Sequence, residues 1–308
     1  MMTTTYIVTG VSGYVGNRVA EILAERVDPA RLIVTSRDEE TLVRWRERGA
    51  DARYADYGDP DSLVRAFAGG DRLFMVSAML VGPRRRAQHQ NAIDAARAAG
   101  VQHVVYTSFL GARDPESRAL VSEDHIFTEN AIREAGLGWT FMRNSQYADA
   151  MAEQIGQIAS SSGKNIHNSG DGLMAFVSRD DVAAAGAELL LGAGEPDTAY
   201  DVTGPELLTY GNVGELIAEL AGADVESVSL SDDDFYAMWD AMGVPREASE
   251  DPDAAVPWCS DDMVSFGRDI RAGALAIRST TVEDLTGRPA ETLRTVMERY
   301  SPAWAPRP

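Results

Sequence analysis

Short apolar runs alternate with amphipathic stretches through the first half of the chain. The first run, Thr5 to Thr9, is rich in β-branched and aromatic residues and precedes a helical pattern from Tyr14 to about Arg26. The alternation continues, with strands expected at 31–36, 51–54, 72–76, 103–107 and 139–142, and helices at 39–48, 60–67, 83–99 and 123–135. Strands separated by helices pair in parallel, because a parallel crossover needs about a dozen residues. The pattern therefore predicts a doubly wound, parallel α/β sheet.

The alternation loosens beyond Asn144. Helices are expected near 146–158, 180–191, 212–221 and 290–300, and strand-like segments at 175–177, 199–203 and 227–230. The Gly/Ser/Asn-rich stretch around His167 is expected to be an exposed loop. We therefore predict two parts: residues 1–145 form the parallel-sheet domain, and residues 146–308 form a smaller, mixed α/β lobe that binds the substrate. Some segments of the lobe, such as 199–203, are expected to return to the sheet.

Composition narrows the class of partner. The 308 residues carry a formal net charge of −20, which repels nucleic-acid phosphates and anionic membranes, so neither partner is expected. No stretch approaches the roughly 20 apolar residues that span a bilayer, and the first strand starts too early for a cleavable signal, so we expect a cytoplasmic protein. Cys259 is the only cysteine, and the four histidines lack metal-ligand spacing, so no disulfide or metal site is expected.

A glycine-rich turn joins the first strand to the first helix. Its three glycines are spaced three apart: the first permits a tight turn, the second lets the backbone approach a pyrophosphate, and the third lets helix and strand pack closely. A plain structural turn is the alternative, but the flanking strand and helix favour the dinucleotide-binding turn of a Rossmann domain. The residues expected at the pyrophosphate are Gly10, Ser12, Gly13, Tyr14, Val15 and Gly16.

The tip of the second strand decides which dinucleotide binds. An acid there hydrogen-bonds the ribose hydroxyls and repels a 2′-phosphate. This chain has Ser36 and Arg37, a hydroxyl and a guanidinium fork that suit phosphate, so NADP(H) is favoured over NAD(H). Asp38 follows directly and opposes that preference, and a plain surface arginine is the alternative role for Arg37.

Further residues are expected along the carboxyl ends of the strands. Asp56 and Tyr57 follow the third strand, where they could flank the adenine, although Asp56 could also cap the next helix. Ser77 and Ala78 follow the fourth strand, and Thr107 ends the fifth. Small residues at this edge admit a cofactor into the crevice.

These residues resemble those of the NmrA-like group of atypical short-chain dehydrogenase/reductases, and within it the NADPH-dependent quinone oxidoreductase type. The resemblance spans nearly the whole chain and rests on GVSGYVG, the SR pair, ADYGD at 55–59, YTS at 106–108, EDHIFTEN at 123–130, MRNSQYAD at 142–149 and LTGRP at 285–289. It implies a Rossmann domain with a small substrate lobe, NADPH in the crevice, and hydride transfer to a quinone or similar conjugated acceptor.

The chain departs from that pattern in its lysines. Short-chain dehydrogenases typically use a Tyr-x-x-x-Lys pair, but Lys164 is the only lysine here and Ser160 stands four residues before it. Quinone-reductase-like relatives often keep a lysine in a HxxxTEK-like stretch, where this chain has Asn130. Asparagine can hydrogen-bond a ribose hydroxyl, but it cannot supply a positive charge.

Five polar residues are candidates for the chemistry. Tyr147 is the leading proton donor or substrate-orienting group, and Asn144 is expected to face the nicotinamide or the substrate. Ser108 ends a neighbouring strand, and Asn130 is the candidate for the ribose. His125 is the histidine best placed in sequence for proton transfer, because its ordinary pKa lies near ~6.5. Each has a structural alternative, either packing or satisfying loop backbone.

Three functions remain open from the sequence. The leading one is an NADPH-dependent reductase of a small, flat, conjugated carbonyl compound such as a quinone. The rivals are a non-catalytic NADP(H)-sensing regulatory protein and a redox-neutral isomerase or epimerase. In the second lobe, the aromatic segment Phe235–Met242 either packs its own core or forms a wall for a flat substrate. A homodimer is one possible assembly.

Overall fold

The computed structural model describes residues 4–251 and 254–304. Its strands are β1 (Tyr6–Val8), β2 (Leu32–Ser36), β3 (Asp51–Tyr54), β4 (Arg72–Met75), β5 (His103–Phe109), β6 (Gly138–Asn144), β7 (Lys164–His167), β8 (Thr198–Val202) and β9 (Glu226–Ser229). Its α-helices are α1 (Tyr14–Ala24), α2 (Glu39–Glu47), α3 (Pro60–Phe67), α4 (Pro83–Ala98), α5 (Leu120–Glu134), α6 (Ala148–Ala150), α7 (Gln157–Ser162), α8 (Arg179–Leu191), α9 (Tyr210–Ala221), α10 (Asp232–Ala241), α11 (Ser260–Arg271), α12 (Thr281–Thr286) and α13 (Leu293–Tyr300).

Seven strands form one parallel sheet in the order β3-β2-β1-β4-β5-β6-β8. The last of them, β8, includes most of the segment expected to return to the sheet, and its Val202 lies beside Asn144 of β6. The strand order reverses at β1: the chain runs outward to β3 and then resumes at β4 on the other side. In open α/β sheets, ligands bind at the carboxyl ends of the strands where the order reverses. The turn after β1 therefore lies at the centre of the crevice.

Helices cover both faces of this sheet, as the continuous apolar strands require. Along β1, neighbouring residues point to opposite faces. Val8 belongs to one apolar layer with Leu23 of α1 and Leu189 of α8. Ile7 belongs to the other layer with Phe67 of α3 and residues of α4 and α5. The predicted doubly wound Rossmann sheet is confirmed, and both of its faces are buried.

Residues after 145 form most of a third apolar cluster, which Leu110 of the preceding half also joins. Strands β7 and β9 form a two-stranded parallel sheet. The third cluster draws on α9, α11, α13 and the segment before α8, and includes Phe176, Tyr210, Ile270 and Met297. Within the described ranges, no helix is both long and apolar enough to cross a membrane.

The segment 175–177, expected to be strand-like, is not a strand of either sheet. Val177 makes a single parallel bridge with Tyr147. Its carbonyl accepts the amide of Ala148 at 2.8 Å, and its own amide donates to the carbonyl of Gln146 at 3.0 Å. These two bonds hold the start of α8 against the segment that follows β6.

The helix expected over 146–158 is interrupted. Only Ala148–Ala150 is α-helical at its start, and a π-helical turn, Met151–Gly156, precedes α7. A β-carbon at Gly156 would stand 2.4 Å from the indole of Trp304, whose ring nitrogen donates to the carbonyl of Ala152 at 3.0 Å. The wider turn thus lies where a distant tryptophan packs onto the helix.

The expectation of an exposed loop at His167 is wrong. His167 ends β7 and is 6% exposed, with its ring centroid 5.2 Å from that of Tyr210. Its Nδ1 shares a hydrogen bond of 2.9 Å with the hydroxyl of Ser169. Burial lowers the pKa of this imidazole, so it is a packed, neutral side chain.

Candidate cofactor and substrate site

The glycine-rich turn has the geometry that a pyrophosphate needs. Gly10 leaves β1 with φ of +66°, which favours glycine, and its carbonyl accepts the amide of Gly13 at 2.9 Å. A β-carbon on Gly16 would lie 2.5 Å from the carbonyl oxygens of both Thr9 and Gly10, so α1 packs directly on the turn. Ser12, Gly13 and Tyr14 are exposed, and the first turn of α1 holds no acidic residue. The free amides at the start of α1 thus form an open anion site.

At the tip of β2, Arg37 is exposed as expected, whereas Ser36 is 3% exposed and its Oγ accepts the amide of Asp38 at 2.9 Å. The Arg37 side chain is 72% exposed, and its Nη1 lies 3.7 Å from Oδ2 of Asp56, an ion pair that is weak at such exposure. Asp38 instead caps α2: its carboxylate accepts the amide of Thr41 at 3.0 Å and the hydroxyl of the same residue. These bonds hold the pKa of Asp38 below its usual range. The acid that opposed NADP(H) in the sequence is therefore committed to the helix.

Asp56 and Tyr57 lie at this rim but differ in role. Asp59, not Asp56, caps α3, and Oδ1 of Asp56 accepts the amide of Gly58 at 2.8 Å. The Tyr57 hydroxyl donates to the carbonyl of Val76 at 3.0 Å and lies 2.9 Å from Oγ1 of Thr9. Tyr57 therefore connects the residues that follow β1 and β4 by hydrogen bonds. The alternative that Asp56 caps the helix is wrong.

Sequence reasoning missed two arginines beside the glycine-rich turn. A cavity of about 510 Å³ adjoins the turn, and it is lined by Val11, Ser12, Gly13, Tyr14, Asn17, Glu21, Arg44, Trp45 and Arg48. Arg44 lies on α2 and Arg48 is the residue that caps its carboxyl end, with the Arg48 guanidinium 4.3 Å from the ring centroid of Trp45. No motif marks them, because they reach the turn through the packing of α2 beside α1.

The loop after β4 is held by a buried histidine. The amide of Ser77 donates to Oγ1 of Thr107 at 2.8 Å, and the amide of Ala78 donates to Nε2 of His89 at 2.9 Å. Nδ1 of His89 lies 2.8 Å from Oγ1 of Thr128. Because Nε2 accepts a hydrogen bond, the ring is neutral, and burial lowers its pKa to about 3. Ser77, Ala78 and Thr107 thus form a fixed edge of the crevice.

At the carboxyl end of β6, buried acceptor atoms have no partner. Asn144 and Ser145 are each 3% exposed, and within residues 4–251 and 254–304 neither Oδ1 of Asn144 nor Oγ of Ser145 has a hydrogen-bond partner. Nδ2 of Asn144 lies 3.4 Å from the hydroxyl of Tyr147, whose pKa is raised by burial. A buried unpaired acceptor is costly unless a ligand completes it.

Ser108 does not offer its hydroxyl to the crevice. Its Oγ donates to Oε1 of Glu129 at 2.7 Å, on the side of the sheet covered by α5. Arg143 donates to both oxygens of the same carboxylate, from Nε to Oε1 at 2.9 Å and from Nη2 to Oε2 at 2.7 Å. The hydroxyl predicted to be catalytic is thus one part of a buried ion-pair network that joins β5, β6 and α5.

The roles expected for His125 and Asn130 are also not supported by their positions. His125 is 5% exposed, lies between Tyr106 and Phe109, and shares a 2.7 Å hydrogen bond with the Tyr106 hydroxyl. Burial holds its pKa well below the usual range, so it cannot carry a proton near neutral pH. Asn130 lies on the exposed face of α5 and accepts a bond from Arg133 at 3.0 Å, away from the crevice.

The aromatic residues of the second lobe pack against one another. The rings of Phe235 and Trp239 are 5.5 Å apart, and those of Trp239 and Trp258 are 5.4 Å apart. Phe235 is buried, whereas Met242 at the other end of the segment is 66% exposed, so ring packing accounts for only part of the segment. In the part of the chain that the structure describes, no group of three or more His, Cys, Asp or Glu side chains is placed to hold a metal ion.

Comparison with known proteins agrees with this geometry. The family model for NAD(P)H-binding proteins matches residues 10–192. Quinone oxidoreductase 2 of Escherichia coli is 31% identical over 93% of this chain and 95% of its own length. The structure of that NADPH-dependent enzyme with NADPH superposes with a TM-score of 0.84 at 29% identity, covering 96% of this chain and 99% of the other.

Two further relatives are similar in sequence. An NmrA-like family domain-containing oxidoreductase of Aspergillus flavus is 28% identical over 75% of this chain and 76% of its own length. An NAD(P)H azoreductase of Xenophilus azovorans is 26% identical over 97% of this chain and 98% of its own length. The predicted resemblance and the predicted NADP(H) cofactor are confirmed. The chain belongs to the NAD(P)H-binding family, and it is an NmrA-like oxidoreductase whose cofactor is NADP(H).

Proposed function

We propose that this oxidoreductase reduces a quinone or a similarly flat, conjugated carbonyl compound with NADPH. The observation that carries the proposal is the pairing of an unpartnered amide oxygen, Oδ1 of Asn144, with the neighbouring Tyr147 hydroxyl at the carboxyl end of β6. One atom can orient the nicotinamide, and the other can meet the oxygen of the acceptor. The E. coli relative named as a quinone oxidoreductase supports this choice of acceptor.

The side chains have a limited task in such a reaction. NADPH, when bound, supplies the hydride, and a quinone that takes up this hydride and one proton becomes the hydroquinone, so one proton must reach an acceptor oxygen. Burial raises the pKa of Tyr147, so the phenol stays protonated at neutral pH and can donate to an oxygen that gains negative charge. Asn144 lies within reach of the same phenol and holds its orientation.

The proposal is tested by mixing the purified protein with NADPH and a panel of benzoquinones, naphthoquinones and azo dyes. We expect quinone-dependent loss of the reduced-nicotinamide absorbance, faster with NADPH than with NADH. Tight NADPH binding without oxidation across the panel would overturn the proposal and favour the sensing protein. Conversion of an acceptor with no net loss of NADPH would favour the isomerase.

Substitutions at Tyr147 and Asn144 test the site itself. Tyr147→Phe and Asn144→Ala should each lower kcat about tenfold, the worth of roughly one hydrogen bond, with the Kd for NADPH within about twofold. Tyr6→Phe is the matched control, because Tyr6 lies at the amino end of β1, whereas the site lies at the carboxyl ends of the strands. Steady-state kinetics and NADPH titration measure both quantities. Unchanged kcat in both site variants would contradict the placement.

A further inference from the structure

The pyrophosphate of the cofactor brings two negative charges into a protein of net charge −20. On one side of the glycine-rich turn, Arg44 of α2 and Arg48 at its carboxyl end line the adjoining cavity. On the other side, toward Tyr147, lies the start of α8. Arg179 is the first residue of α8, and its side chain is 19% exposed.

The backbone fixes Arg179 beside the crevice. Two residues earlier, Val177 is bridged to Tyr147. The amide of Arg179 donates to Oδ2 of Asp149 at 2.7 Å, and Asp149 is buried, with its other oxygen bonded to the Tyr300 hydroxyl at 2.9 Å. The position of this arginine is therefore set by bonds that do not involve its guanidinium.

The guanidinium lies between the glycine-rich turn and the π-helical turn. Its central carbon is 5.9 Å from the ring centroid of Tyr14, the first residue of α1. Its Nη1 donates to Oε2 of Glu153 at 3.0 Å, and the Glu153 side chain is 39% exposed. The charge of Arg179 is also felt at Tyr147, where it lowers the pKa against the larger effect of burial. One cation thus reaches both the pyrophosphate turn and the proposed proton donor.

We propose that Arg179 binds the nicotinamide-side phosphate of NADPH, exchanging its bond to Glu153 for bonds to phosphate oxygens. A partly exposed ion pair with Glu153 contributes little, whereas a guanidinium fork matches a phosphate in geometry and charge. Of the other nearby acids, Asp149 is held by Tyr300 and by backbone, and Asp180 lies 3.4 Å from Nε of Arg18. Glu153 is the partner that yields.

The inference rests on the NADP(H) site of the proposed function and not on the choice of acceptor. The test therefore uses binding and not turnover, so that it can fail while quinone reduction stands. Three ligands separate the phosphates: NADPH and NADH carry the full pyrophosphate, whereas adenosine 2′,5′-bisphosphate carries only the adenosine-side phosphates. Kd values are measured by calorimetric titration, and thermal unfolding reports the integrity of each variant.

Arg179→Gln should weaken NADPH and NADH equally, by tenfold or more, and leave adenosine 2′,5′-bisphosphate within twofold of the parent protein. Arg179→Lys should recover part of the loss, because it restores the charge without the fork. Glu153→Gln should tighten NADPH binding several-fold, because it removes the competing carboxylate. Arg97→Gln, which removes the same charge from the last turn of α4, should change none of the three Kd values.

An NADPH Kd for Arg179→Gln within twofold of the parent value would overturn the inference. So would an equal loss of adenosine 2′,5′-bisphosphate, since the effect would then come from a distorted turn. If Arg179→Gln does not fold, Glu153→Gln decides: tighter NADPH binding supports the exchange, and an unchanged Kd rejects it.

Discussion

Replacing Gly16 with alanine should lower the free energy of unfolding by roughly 3 kcal/mol and weaken NADPH binding by about a hundredfold or more. The new β-carbon would stand 2.5 Å from the carbonyl oxygens of Thr9 and Gly10. Both are backbone atoms, so α1 has to move away from β1, and the amides that hold the pyrophosphate move with it. Thermal unfolding and NADPH titration measure the two effects.

Gly13→Ala is the matched control for stability. A β-carbon there meets only the Gly10 carbonyl oxygen, at the ordinary contact distance of 3.4 Å, and φ of Gly13 is −93°. We therefore expect its unfolding temperature to stay close to that of the parent protein. A Gly16→Ala variant as stable as Gly13→Ala would show that helix packing on the turn does not depend on the missing side chain.

Replacing Arg37 with alanine should raise the Kd for NADPH roughly a hundredfold and change the Kd for NADH by no more than about twofold. The guanidinium is exposed at the tip of β2, its ion pair with Asp56 is long at 3.7 Å, and Asp38 beside it is committed to capping α2. Losing a bidentate contact to the 2′-phosphate affects only the cofactor that carries one. Parallel titrations with the two dinucleotides measure the selectivity.

Arg97→Ala serves as the control. Arg97 lies in the last turn of α4, so its substitution removes the same charge far from the crevice. It should leave both Kd values unchanged. Equal losses of NADPH and NADH affinity in Arg37→Ala would show that Arg37 does not bind the 2′-phosphate. The 2′-phosphate would then be assigned to the cavity beside Ser12, which Arg44 and Arg48 line.

The sheet and the cofactor turn were predictable because their signals are local. Each strand of the first half is a short apolar run between turns, and strands separated by helices pair in parallel. Ser36 and Arg37 could be identified because Ser36 ends β2 and Arg37 is the next residue. The chemistry of the pyrophosphate turn likewise depends on residues within seven positions of one another.

The polar residues of α5 show where local reasoning stops. The helix buries Ser122, Asp124, His125, Thr128, Glu129 and Ile132. Five of these six are polar, so the apolar period that normally marks the inner face of a helix is absent. The helix could therefore not be oriented from sequence: Glu129 faces the sheet and holds Ser108, whereas Asn130, one residue later, faces solvent.

The second lobe depends on contacts between distant residues. The π-helical turn lies under Trp304, about 150 positions away along the chain. His167 is buried because β9, sixty residues further on, pairs with β7 and α9 covers the face. Turn-forming residues such as those around His167 indicate a loop only when no partner strand is present, and the sequence does not reveal that partner.

The position of β8 and α8 in the sheet has a consequence for how the chain acquires its structure. Leu189 and Leu190 of α8 cover the same apolar layer as Val8 and Leu23, and Arg72 at the start of β4 donates to the carbonyls of both leucines. Until α8, residues 179–191, has left the ribosome, that layer lacks this cover, and until residue 202 has left it, β6 is an open edge. The first 145 residues therefore hold the cofactor motif but not the contacts that complete its core during synthesis.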